Sequence, residues 1–119
     1  MPFVLLHASY PYVRELSYLA TIYANVYLDL GLAIPHAAGD IPGVVRQALS
    51  LAPASKVLFS TDAYSIPEIF WLAARWGRWG LGKVLDEYVA MGVYRRKEAL
   101  GVARQILGGN AAKVYQVEF

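Results

Sequence analysis

Three ionisable side chains stand at or near points where an apolar run gives way to a polar turn. His7 follows Phe3-Val4-Leu5-Leu6, Asp29 lies in Val26-Tyr27-Leu28-Asp29-Leu30, and Asp62 follows Lys56-Val57-Leu58-Phe59-Ser60. An imidazole and a carboxylate brought together can ligate a divalent metal, or act as base and acid on a water. His7 and Asp62 are therefore candidates for both catalysis and metal binding. Each has a plainer role too: a histidine after a strand can be a hydrogen-bonded structural group, and a turn aspartate can satisfy backbone N–H groups. Asp29 lies inside its apolar run and can instead pair with an arginine or lysine, which ranks it below the other two. His36 falls in a loop containing glycine and proline, where a solvated side chain is expected.

Such residues act together only if elements hold them at one rim. The apolar β-formers predict strands near residues 3–7, 26–30 and 56–60. Helices are predicted near 11–24, 41–52, 66–91 and 95–108, in one domain covering 1–119. Pro11 and Pro67 suit first helical turns, Asp40 is placed to cap the second helix, and Pro53 ends it. Ser65 and Glu68 have the spacing of a capping box. Gly77, Gly80 and Gly82 each weaken the third helix by about 1 kcal/mol relative to alanine, so a break near Trp79 is expected. Gly108-Gly109 should stop the last long helix, leaving a short turn or helix over 110–115. Three successive strand–turn–helix units imply a parallel α/β sheet with right-handed crossovers, and function in such sheets gathers at the carboxyl ends of the strands.

Composition narrows the field. The 119 residues are 57% hydrophobic and 17% charged, with a mean hydropathy of +0.36. A chain this short buries only about two-thirds of its surface, so some apolar surface should meet a partner. A net charge of +2 gives no clustered basic footprint for nucleic acid. Phe70, Trp71, Trp76 and Trp79 beside Arg75 and Arg78 could stack on bases, but a helix packed on a sheet and a neighbouring helix needs the same aromatics. The absence of cysteine excludes disulfides and thiolate chemistry. Residues 16–38 are apolar enough to mimic a membrane span, yet Asn25 and Pro35 argue for a helix followed by a strand. With no secretory leader visible, a cytoplasmic protein that does not enter the membrane is expected.

The segments VLLHASYPYVRELSYLA, NVYLDLGLAIP, LAPASKVLFSTDAYSIPEIFWLAAR and ILGGNAAKVY resemble, in this order, the carboxyl-terminal portion of the amidohydrolase-related (amidohydrolase 2) family. The branch found with glutamine synthetase-like domains is the most similar. The resemblance implies the last three or so βα units of a (β/α)8 TIM barrel, plus carboxyl-terminal helices. In that family a divalent metal, zinc first among the choices, is held at the strand ends. By resemblance His7 closes the sixth strand, and Asp62 closes the eighth as metal ligand and proton shuttle. The His-x-His pair of the first strand and the histidine of the fifth are not in this chain, and His36 matches no standard ligand.

The resemblance therefore implies a metal-dependent hydrolase acting on C–N or related bonds, incomplete without an amino-terminal half and binding little or no metal alone. The alternative is a non-catalytic, self-associating α/β module derived from the same fold. Either way the expected partner is that missing half-barrel or another copy of the chain, with no nucleic acid; a small-molecule substrate belongs to the complete enzyme.

Overall fold

The computed structural model describes residues 1–118. Its strands β1 (Phe3–Leu5), β2 (Val26–Asp29) and β3 (Val57–Leu58) form one parallel sheet in the order β1-β2-β3. Phe3, Val4 and Leu5 pair with Val26, Tyr27 and Leu28, while Leu28 and Asp29 pair with Val57 and Leu58. Paired residues share a face and successive ones alternate. Leu28 and Val57 accordingly enter the core under the helices, and Asp29 turns to the other face.

Helices α1 (Val13–Ile22) and α3 (Ile41–Leu51) follow the first two strands, with a short α2 (Ala33–Ala37) between β2 and α3. Each long helix buries residues at i, i+3, i+4 and i+7: Val13, Leu16, Ser17 and Ala20 in α1, and Ile41, Val44, Val45 and Ala48 in α3. That is the stripe an amphipathic helix presents to a core. Ser17 adds a specific link, because its hydroxyl donates to Ala48 O at 2.8 Å and accepts from the Ala52 amide at 2.8 Å. Lys56 Nζ reaches the end of α1 and donates to the carbonyls of Ala20 and Tyr23 at 2.7 and 2.6 Å, a cation where helix carbonyls lack partners. The apolar stretch 16–38 is thus divided among α1, β2 and α2, and among the described residues no helix is long and apolar enough to cross a membrane.

Three expectations about helices are corrected. Helix α4 runs unbroken from Pro67 to Ala90, with no break near Trp79. Two of its glycines face inward: a Cβ on Gly77 would lie 2.2 Å from the Phe59 ring, and one on Gly80 2.3 Å from Ile41 Cγ2. Their missing side chains let α4 press on the sheet and on α3, which offsets their poor intrinsic propensity. The Ser65–Glu68 capping box does not form, because Ile66 is the N-cap and no side chain caps α4. Pro67 forces the residue before it into extended backbone, which moves the helix start one position past Ser65. Asp40 does occupy the N-cap of α3, without a side-chain capping bond.

Gly108-Gly109 does not stop the last helix either. Helix α5 (Arg96–Arg104) passes through a π turn (Gln105–Gly109) into α6 (Asn110–Tyr115). The wider turn changes the helical phase and aims Asn110 at β3, where its Nδ2 donates to Ala54 O at 2.7 Å and Val57 O at 2.8 Å.

The glycines of α4 give a paired prediction for urea unfolding. Gly77→Ala should destabilise the protein by about 1–3 kcal/mol, because overpacking against Phe59 exceeds the gain in helix propensity. Gly82→Ala, with open space at its Cβ position, should stabilise by up to about 1 kcal/mol.

Candidate active site

The strand exits are built from unusual backbone. After Leu5 the chain turns through His7, Ala8 and Ser9 with φ of 63°, 52° and 48°, and Asp62 has φ of 55°. Left-handed backbone at a residue with a side chain costs of order 1–3 kcal/mol and persists only where the surroundings enforce it. At β1 the enforcement is visible: Ala8 is fully buried, the Tyr10 amide donates to His7 O at 3.0 Å and the Tyr12 amide to Ser9 O at 2.7 Å. These turns end β1 and β3 earlier than residues 7 and 60, where the sequence placed their ends.

They also bring the two leading candidates together. His7 Nε2 lies 3.7 Å from Asp62 Oδ2, and both side chains remain about two-fifths exposed, at 42% and 41%. The separation is too long for a strong hydrogen bond and short enough for a protonated imidazole to pair with the carboxylate. The turn around Asp62 draws its side-chain acceptors from the hydroxyls before it. Ser60 Oγ accepts from the Asp62 amide at 3.1 Å, and Thr61 Oγ1 accepts from the Ala63 amide at 3.3 Å. The Asp62 carboxylate is left facing His7.

Asp29 sits beneath this pair and is only 8% exposed. The expected partnership with an arginine or lysine is not found: the ion pairs among the described residues are His7–Asp62 and Arg46–Glu87. Asp29 Oδ1 instead accepts the Gly31 amide at 2.8 Å. Burial pushes the Asp29 pKa above its ordinary 3.8, while the Gly31 hydrogen bond and the nearby His7 pull the other way. Gly31 itself is wedged in place, since a Cβ there would lie 2.6 Å from Asp29 Oδ1, 3.4 Å from Asp62 Cβ and 3.5 Å from Ser60 Oγ. Sequence reasoning missed Gly31 and Ser60, although a glycine two residues past a strand-end aspartate was an available signal.

His36 lies in α2 on the surface, with Nδ1 2.9 Å from Leu32 O, and joins neither His7 nor Asp62 in an ion pair among the described residues. The aromatics of α4 are divided: Trp76 packs on the core, whereas Phe70, Trp71 and Trp79 are 48%, 62% and 45% exposed, with the Arg75 guanidinium 5.3 Å from the Trp71 ring. The packing expected for all four therefore holds only for Trp76. A surface cavity of about 400 Å³ lies beside Trp76 and Trp79, and neither Asp29 nor Asp62 lines it.

As a metal site the rim is short of donors. His7 and Asp62 offer one side-chain donor group each, and one Asp29 oxygen is committed to Gly31. Among the described residues no group of three or more His, Cys, Asp or Glu could hold a metal ion. A mononuclear site needs about three protein ligands, so these residues alone do not fit one.

A solved structure matches this arrangement of parallel βα units. A Lactobacillus casei protein, provisionally described as a metal-dependent hydrolase, superposes with a TM-score of 0.85 at 32% identity, over 95% of this chain and 29% of its own. The fold is that of part of a TIM-barrel hydrolase. The family model described as Amidohydrolase matches residues 1–117, and the chain belongs to that family. Protein fluG of Emericella nidulans is 45% identical over 116 residues, 97% of this chain and 13% of fluG. The chain thus spans a small part of either relative.

The buried carboxylate gives a pH prediction. With a folded-state pKa above 3.8, Asp29 binds more protons in the folded than in the unfolded chain at pH values just above 3.8, so its contribution to stability falls as pH rises through that window. Asp29→Asn should raise urea stability at neutral pH and make no difference well below pH 3.8. An equal effect of the substitution at both pH values would contradict this assignment.

Proposed function

We propose that this chain supplies the sixth to eighth βα units of a metal-dependent amidohydrolase, and that His7 and Asp62 are its catalytic and metal-binding contribution. The observation that carries the reading is their 3.7 Å approach from the exits of the two outer strands, β1 and β3, with both side chains still open to solvent. The reaction class is hydrolysis of a C–N or related bond. Asp62 accepts a proton from the attacking water as its oxygen bonds to the substrate carbon, and passes that proton to the nitrogen as the C–N bond breaks, an exchange worth about 10²–10⁴-fold in rate. A divalent ion, zinc for preference, would take His7 and Asp62 as two ligands and draw the rest from outside these residues.

The remaining surface supports an incomplete barrel. Outer strands β1 and β3 each pair on one side only, and Phe3, Leu6, Leu19 and Ile22 are 50%, 57%, 39% and 52% exposed along the β1–α1 flank. We infer that the preceding βα units, or a second copy of the chain, cover that flank. Self-association without catalysis is the second reading, and the shortage of metal donors favours it.

Elemental analysis and hydrolysis assays separate the two. The longer protein should retain a divalent metal after dialysis and hydrolyse members of a C–N substrate panel, whereas the 119 residues alone should retain far less than one equivalent. His7→Ala and Asp62→Asn should each lower kcat/KM by about 10²–10⁴-fold with the fold intact. Unchanged hydrolysis in both variants, or a metal-free oligomer without activity, would remove the enzymatic reading.

A further inference from the structure

The aim of the Asp62 carboxylate is not set by any protein hydrogen bond to its own oxygens among the described residues. Its close charged neighbour is the His7 imidazole, with Nε2 3.7 Å from Oδ2. The direction of the carboxylate therefore follows from the Asp62 backbone, which is left-handed with φ of 55°. Such a conformation at a residue with a side chain persists only where its surroundings enforce it.

Two neighbours supply that enforcement. Ser60 Oγ accepts from the Asp62 amide at 3.1 Å, so a hydroxyl closes the turn in place of a backbone carbonyl. Ser60 stands on firm ground, two residues past Leu58, whose carbonyl accepts the Leu30 amide at 3.0 Å and keeps the exits of β2 and β3 joined. Gly31 backs the turn from the β2 side: the position a Cβ would take there is 3.5 Å from Ser60 Oγ and 3.4 Å from Asp62 Cβ. The Thr61 hydroxyl, by contrast, accepts from the Ala63 amide at 3.3 Å.

We propose that Ser60 is a positioning residue of this site: its hydroxyl holds the left-handed turn that aims the Asp62 carboxylate at the His7 imidazole. This rests on the reading of His7 and Asp62 as the working pair. It gives Ser60 no contact with substrate or reacting atoms. The requirement is for an acceptor on the γ atom, because the donor is a fixed backbone amide. Threonine carries the same acceptor, cysteine keeps the shape with a much weaker one, and alanine has none.

The test uses nuclear Overhauser contacts between the His7 ring and the Asp62 β-protons, read in the folded chain alongside steady-state kinetics of the longer protein. Ser60→Ala should abolish the ring contact and lower kcat by roughly 10²-fold with KM little changed, as expected when a reacting group is displaced by about 1 Å. Ser60→Thr should retain the contact and most of kcat, and so should Thr61→Ala, which removes a hydroxyl that bonds a different amide. Should Ser60→Ala fail to fold, Ser60→Cys should lose the contact in its place. An intact His7–Asp62 contact in folded Ser60→Ala, or in Ser60→Cys where alanine does not fold, would overturn the proposal. So would Ser60→Thr behaving like alanine, or an equal loss in Thr61→Ala. If His7→Ala and Asp62→Asn leave hydrolysis untouched, the functional reading fails, while the ring contact still decides the role of Ser60.

Discussion

Parallel register is the constraint from which the site follows. Three strands aligned with Leu5 beside Leu28, and Asp29 beside Leu58, must end on the same side of the sheet. Everything that leaves those ends shares one rim. A slip of one residue would carry Asp29 to the helix face and Leu28 to the other, because side chains alternate with a period of two. Burial of Leu28 and Val57 beneath the helices opposes that slip. The hydrophobic core therefore fixes the address of groups that do not belong to it.

Around this register the helices are fastened by a few directional contacts rather than by bulk alone. Ser17 ties α1 to the end of α3, Lys56 closes the end of α1, and Asn110 fastens the π turn to the start of β3. Each spends a polar side chain on backbone groups that the regular elements leave unpaired. The glycines at 77 and 80 act by subtraction, letting α4 approach where a methyl group would hold it away. The exposed apolar flank beside β1 and the single-sided strands show where this arrangement stops short of a closed barrel.

The parallel sheet and the convergence of His7 and Asp62 were legible in the sequence because they depend on the order of apolar runs, which pattern alone conveys. Strand length was not legible, since the left-handed backbone at His7 and Asp62 occupies residues with no glycine to announce it. Gly77 and Gly80 misled for the opposite reason: their propensity argues for a break, and only the neighbours Phe59 and Ile41 show that closeness is what they provide. The place of Asp29 was hidden in the same way. Its partner is the backbone amide of Gly31, and no side-chain spacing encodes it.

Strand β3 is only two residues long, and the amide of Asn110 grips its first residue from 53 positions further along the chain. A ladder so short has little hold of its own. The segment from Val57 to Asn110 is consequently closed on itself without a covalent bond, by the asparagine together with the packing of β3 against the π turn. The carboxyl-terminal helix is thereby tied to the strand that leads to Asp62, although α4 lies between them in sequence.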